Sequence, residues 1–457
     1  MMAERLQKFG RVKIIIYVAL LILITGAFLI LDPMKWRGIS PPVLIAESGE
    51  IASSGRVGLD FGRVMDDQSV IAHLSLTPEF PGQWEREGQL FWFTPDQPFP
   101  YPQKLTIQIL PGAQSLNGKK IRQSKTYEVL VREPKIIYLK NIDQRKEIWI
   151  SDFRGENQFA VSKTNEQVVD YTFSKDGNII FYSALNDQGG ADIFQTNREA
   201  NSAQKIISCN TDSCTAPTIS PNGGQLVYLK SPLLETDPAY KGESKLWHRD
   251  MNTGKVSLLL PDNPNVIQPR WSPTGQYLSY YDLPQKAIGL IDFWGSNDRV
   301  IPSDYGMNGI WSSDGNKIYF LNYIQSGTQP FTTLYEIRIQ PFQVIPMFQN
   351  VDANIEFGWV ASDQEADTFT LSARYQDGPY SNQIWIVDQD GNIQKEVTRD
   401  YVYTHSNIHW DSSHAYLVFQ RFKLNSSKST PEVWFWSKES DQLQLISANA
   451  SSPNWLP

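Results

Sequence analysis

The strongest constraint on this chain is an internal repeat between residues 136 and 457. An aromatic or apolar residue precedes a polar Ser-x-x-Gly turn, and an apolar strand follows. FSKDGNIIFYS begins at Phe173, ISPNGGQLVYL at Ile219, WSPTGQYLSYY at Trp271 and WSSDGNKIYFL at Trp311. Weaker copies begin at Trp359 and Trp410, and PNWLP carries a last anchor at Trp455. Two further strand-like runs lie between copies, as in KLWHRD then VSLLL, linked by MNTG, or QIWIVD then IQKEV, linked by QDG. Four short antiparallel strands per unit is the pattern of a propeller blade, whereas the 3.6-residue period of helical repeats is absent. Seven blades take about 46 residues each and six take about 54, so seven fits the usual blade length better, with six as the runner-up. The run from Ile136 to Val161 supplies three strands with none before them, and PNWLP supplies one with none after it. Joining the two in one blade removes two exposed sheet edges.

These W-S-P-x-G copies resemble the propeller repeats of TolB-like periplasmic proteins, other WD40-like repeats and the non-catalytic propellers of the prolyl oligopeptidase family. The resemblance implies a propeller fold and says little of activity, because propellers host many functions. TolB-like propellers usually have six blades, and nothing upstream matches the TolB amino-terminal domain.

Upstream, residues 41–133 read as short alternating strands separated by Pro, Gly and Asp: Arg56–Phe61, Ile71–Leu76, Gln89–Phe93, Leu105–Leu110 and Tyr127–Val131. The succession LDFGRVMDDQSV, LSLTP, GQLFWFTP and LPGAQSLNGKKI resembles the bacterial Ig-like domain of surface-layer and cell-envelope proteins. That resemblance implies a β-sandwich serving as a spacer or adhesion module, with no catalytic set. GAQSLNGK, from Gly112, fails as a phosphate loop: five residues separate its glycines, and Lys120 stands where a hydroxyl is needed.

Ile14–Leu31 is an uncharged run of 18 residues, about 27 Å as a helix and close to the thickness of a bilayer's hydrocarbon core. Arg5, Lys8, Arg11 and Lys13 precede it, so it reads as a transmembrane signal anchor with residues 1–13 in the cytoplasm and the bulk periplasmic or extracellular. The competing reading is a cleaved signal peptide, but bulky residues stand where the small-x-small site belongs. In an oxidising compartment Cys209 and Cys214, the two cysteines of the chain, are expected to close a surface loop as a disulfide.

The chemistry-bearing residues are sparse. Lys plus Arg is 41 against Asp plus Glu at 49, which argues against nucleic acid as a partner. Neither G-x-S-x-G nor H-E-x-x-H occurs, so no catalytic residues are assigned and the chain is expected not to be an enzyme. His405 and His409 would share a face of an extended strand, yet buried or exposed histidines are favoured over a metal site, and no metal or cofactor is expected. The DQDG at Asp388 reads as a hairpin turn, and Trp434 and Trp436 as core. Loop length points instead to one face. The segments 231–243, 322–332, 375–381 and 423–431 are the long connections, and such loops commonly carry binding. Tyr240, Tyr323, Phe331, Tyr375 and Tyr380 give that face its aromatic contacts. The reading is an all-β, membrane-anchored binding or scaffold protein of the cell envelope whose propeller recognises an envelope protein or glycan. The alternative is a glycan-active propeller enzyme with two carboxylates near the central channel.

Overall fold

A computed structural model describes residues 39–457, except 47–48, 163–166, 202, 235–236, 263–264, 296–297, 327–328, 349–353, 364–367 and 427–428. The described residues form two compact units, 39–51 with 55–131 and 52–54 with 132–457.

The smaller unit is a two-sheet sandwich. Its strands are β1 (Val43–Ile45), β2 (Glu50–Ile51), β3 (Val57–Asp60), β4 (Leu74–Thr77), β5 (Gly82–Glu87), β6 (Leu90–Pro95), β7 (Gln103–Ile109) and β8 (Lys125–Val131). One sheet has the order β1-β3-β6-β5 and the other β2-β8-β7-β4. Period-two alternation sends Phe91 and Phe93 from one sheet, and Leu105, Ile107, Ile109, Val129 and Val131 from the other, into one core. The expected strand Ile71–Leu76 is shorter at its start, where Ile71 ends a helix and a turn follows. Asp66 accepts the Ser69 N–H and caps α1 (Asp67–Ile71), so the strand begins only at Leu74.

In the larger unit the sheets follow one another along the chain. β9 (Lys135–Ile142), β10 (Arg145–Ser151) and β11 (Phe159–Ala160) are joined by the last strand, β38 (Ala450–Leu456), in the order β11-β10-β9-β38. β12 (Val168–Phe173), β13 (Ile179–Leu185), β14 (Ala191–Asn197) and β15 (Gln204–Ile207) form the next group. It touches β16 (Ser213–Ile219), β17 (Gln225–Ser231), β20 (Lys245–Asp250) and β21 (Val256–Leu258) through the parallel pair Ala191–Ser213. A small hairpin, β18 (Leu233–Leu234) and β19 (Asp237–Lys241), stands between β17 and β20. Four four-stranded meanders follow. They are β22 (Val266–Trp271) to β25 (Arg299–Pro302), β26 (Ile310–Trp311) to β29 (Gln343–Pro346), β30 (Ile355–Asp363) to β33 (Ile393–Glu396), and β34 (Tyr403–Trp410) to β37 (Gln442–Ala448). Within them lie β23 (Tyr277–Asp282), β24 (Ala287–Asp292), β27 (Lys317–Ser326), β28 (Gln329–Arg338), β31 (Thr368–Tyr375), β32 (Gln383–Val387), β35 (Tyr416–Lys423) and β36 (Glu432–Ser437).

The repeat has a local cause. The hydroxyls of Ser174, Ser220, Ser272 and Ser312 accept the N–H five residues on, at 2.9–3.0 Å. The glycine N–H returns to the serine carbonyl, and Gly177, Gly223, Gly275 and Gly315 sit at φ of 68–73°, where a Cβ is strained. Asp411 replaces the serine in a later copy and accepts the Tyr416 N–H at 2.7 Å, with His414 at φ 52° in the glycine place. The tryptophans explain the other half of the motif. Trp271, Trp311, Trp410 and Trp455 donate their indole N–H to Thr218 O, Ser279 Oγ, Thr370 Oγ1 and His409 O, each in the preceding sheet.

The single-pass membrane assignment needs correction. No helix among the described residues is long and apolar enough to cross a membrane. Helix α1 has five residues, against the ~20 that a span requires. Ile14–Leu31, on which the assignment rested, lies outside the described residues, and the localisation derived from it falls with it.

Trp455 ties β38 into the ring, packing with Ile136, Tyr138, Val418 and Phe435. Trp455→Ala is expected to cost about 3–5 kcal/mol in urea-induced unfolding of the full chain. A loss below about 1 kcal/mol would mean that β38 adds little to the fold.

Candidate functional site

Among the described residues, six of the innermost strands carry a recurring irregularity. The register slips by one residue between Val168 and Asp170, Thr215 and Thr218, Ile267 and Arg270, Phe357 and Trp359, Ser406 and His409, and Ser451 and Asn454. Such bulges re-aim the side chain that follows. Gln268, Asn407 and Ser452 hold them at φ of 49–53°. The residues emerging from five of the six bulges, Asp170, Arg270, Trp359, His409 and Asn454, line one cavity of about 280 Å³. Residues drawn from β12, β22, β30, β34 and β38 meet there, as a channel on the axis of a ring requires.

The channel is polar but uneven in charge. Asp170 is its one carboxylate among the described lining, and it accepts the Ala216 N–H at 2.6 Å and the Ser183 hydroxyl. The Arg270 side chain has no hydrogen bond or ion pair with any described residue, and burial depresses its pKa. Desolvation, helped by the Arg270 charge, pushes the His409 imidazole down to about 4, so it is neutral near pH 7. The alternative reading, with two carboxylates in the channel, therefore lacks its second carboxylate among the described lining residues.

The slip in β34 also separates the two histidines expected on one face. His405 pairs with Arg421 and His409 with Val418, three residues apart on β35, so they fall on opposite faces. His405 is buried with its Nδ1 at 2.8 Å from Asn382 O, and desolvation takes it down to about 4 as well.

The aromatic residues expected on the long-loop face divide. Segment 322–332 is largely a continued hairpin, with Tyr323 opposite Thr332 and Ile324 opposite Phe331. Tyr323, Phe331 and Tyr380 line one cleft of about 510 Å³ with Asn354, Glu356, Arg374 and Asp377. Tyr380 is 80% exposed, yet the Arg374 guanidinium lies 4.0 Å from its ring centroid and pairs in turn with Glu356. Tyr375 instead turns inward against Trp385, with ring centroids 5.2 Å apart. The Tyr240 side chain lies outside the described residues. Cys209 and Cys214 are disulfide-bonded with Cα atoms 6.1 Å apart. They are buried against Phe181, Ile193 and Tyr228 rather than placed on a surface loop.

Arg270, Trp359 and His409 had a usable signal. Arg270 and His409 directly precede a repeat tryptophan, the position that faces away from it, where other copies carry Thr172, Thr218 or Ile310. A cation and an imidazole stand out there. Trp359 is itself displaced by one residue from the anchor position. It follows the bulge as Arg270 does, and Val360 is buried in the anchor's place.

No protein-family model matches the sequence, and no curated protein matches it. An oligogalacturonate lyase in complex with manganese aligns with a TM-score of 0.51 at 13% identity, over 67% of this chain and 87% of the lyase. The β-propeller domain of the Trilobed protease from Pyrococcus furiosus gives 0.47 at 13%, over 69% and 96%. TolB from Acinetobacter baumannii gives 0.43 at 13%, over 84% and 83%. At such identities the likeness concerns the fold alone, and the successive four-stranded antiparallel sheets make that fold a β-propeller. The expectation that the chain is not an enzyme is corrected by the same structures. The fold is shared with a lyase, so the missing G-x-S-x-G and H-E-x-x-H motifs say nothing against catalysis.

The two desolvated imidazoles predict a pH dependence. Each has a folded-state pKa near 4 against an unfolded value near 6.5. The unfolded chain takes up more protons between those values, so stability is fully present above about pH 6.5 and falls toward pH 4. Urea midpoints measured from pH 7 to 4 should decline less steeply in His405→Gln and His409→Gln than in the parent. Parallel declines in all three would show that the imidazoles are not held neutral.

Proposed function

We propose that the larger unit is a seven-bladed propeller, closed by pairing of β38 with β9, that recognises a glycan in the cleft lined by Tyr323, Phe331 and Tyr380. The smaller sandwich is read as an Ig-like spacer. The observation that carries the binding reading is the exposed ring of Tyr380, fixed by Arg374 and Glu356 rather than by burial. An aromatic face held ready in this way loses little freedom on binding. Tyr323, 45% exposed, is supported similarly, its ring 5.7 Å from that of Tyr305. Around these faces Asn354, Gln376 and Asp377 offer amide and carboxylate groups suited to hydroxyls. A concave wall of apolar ring faces between hydrogen-bonding groups suits the alternating C–H and O–H surface of a sugar better than the flat apolar patch of a protein partner.

The test is binding of the full chain to arrays of immobilised neutral and acidic oligosaccharides and of peptides. Retention on at least one oligosaccharide class is expected, with Tyr380→Ala and Tyr323→Ala each weakening it by roughly tenfold. Neither variant should change the melting temperature by more than a few degrees, because both rings are substantially exposed. Retention on peptides alone, or glycan binding unaffected by either variant, would overturn the proposal.

A further inference from the structure

A second site, independent of the cleft, lies on the axis of the larger unit. Its centre is the guanidinium of Arg270. The side chain is mostly buried in the channel wall, and no described residue gives it an ion pair or a hydrogen bond. Among the exceptions to pairing, a buried unpartnered cation is the costly one, because it forgoes hydration without a compensating charge. Asp170 shares the cavity but is committed to Ala216 and Ser183 and forms no ion pair with Arg270. His409 adds no negative charge either, and Trp359, Asn407 and Asn454 are among the residues that make up the rest of the wall.

We propose that this channel binds a small, ring-bearing monocarboxylate, with Arg270 as the residue that recognises its carboxylate. Four observations set the class. The planar guanidinium fork matches a carboxylate's two oxygens. The Asp170 carboxylate in the same cavity disfavours a doubly charged oxyanion such as phosphate. A volume of about 280 Å³ admits a single ring with its substituents and little more. Trp359 supplies an aromatic wall, and Asn407 and Asn454 supply amides that can meet hydroxyls. The bulges set this arrangement, since five of these six side chains, Asp170, Arg270, Trp359, His409 and Asn454, directly follow a register slip on an inner strand, while Asn407 sits within one.

Titration calorimetry on the full chain tests this with charge-matched pairs, glucuronate against glucose and benzoate against benzamide, and with inorganic phosphate. At least one acid should bind ten times or more tightly than its neutral partner and more tightly than phosphate. Arg270→Gln should weaken that acid roughly 10- to 100-fold. Arg270→Lys, which keeps the charge and loses the fork, should fall between. Tyr380→Ala should leave this binding unchanged, which separates the channel from the rim cleft. In the absence of any acid, Arg270→Gln should melt at or above the temperature of the parent, because it removes an unpaired buried charge. A lowered melting temperature for Arg270→Gln would show a structural role and overturn the proposal. So would equal binding of acid and neutral partner, tighter binding of phosphate, or no binding of any probe.

Discussion

Four innermost strands of the larger unit, β22, β26, β34 and β38, are tied to the sheet before them, and the rest of that unit depends on the tie. The indole N–H of Trp271, Trp311, Trp410 or Trp455 reaches back to an acceptor in the preceding sheet while the ring packs between the two sheets. One such hydrogen bond contributes only about 1 kcal/mol. Its effect lies in repetition, because every clamp fixes the position from which the next sheet starts. The last clamp, Trp455 on His409 O, sits on the strand that pairs with β9, so the two chain ends of this unit share one sheet.

That fixed frame lets the inner strands tolerate irregular backbone. A non-glycine residue at positive φ costs about 1 kcal/mol or more, and Gln268, Asn407 and Ser452 all adopt it. Neighbouring groups hold them there. Asn308 donates to the Gln268 carbonyl at 2.8 Å, while Gln420 Oε1 takes the Ser452 N–H at 2.8 Å and the Asn407 amide at 3.2 Å. Five of the six slips turn one side chain toward the axis, and the residues turned in this way line the channel. Backbone irregularity, placement of polar groups and the Arg270 charge are thus consequences of a single device.

The repeat was legible because its parts are local. A serine hydroxyl, a glycine at positive φ and an aromatic anchor lie within seven residues, and the spacing alone indicates a propeller. The channel was harder to see because its bulges fall on residues as varied as Val169, Ala216, Gln268, Gly358, Asn407 and Ser452, so no residue type marks them. One extra residue also inverts the period-two alternation. His405 and His409 therefore part company, and Trp359 passes for a core anchor although it lines the cavity. At the rim, aromatic residues near long connections could be picked out from sequence, but their directions could not. Tyr375 and Tyr380 lie five residues apart; one packs on Trp385 and the other stands in solvent beside Arg374.

The ring itself is tested most directly by native-state amide hydrogen exchange of the full chain. In a closed ring the amides shared by β9 and β38, from Ile136 to Lys140 and from Ala450 to Leu456, are among the slowest, exchanging with the same free energy as global unfolding. Their protection should match that of the inner pair β22 and β23. Exchange of β38 by local fraying, many-fold faster than β22 and β23, would contradict closure and with it the channel that closure creates.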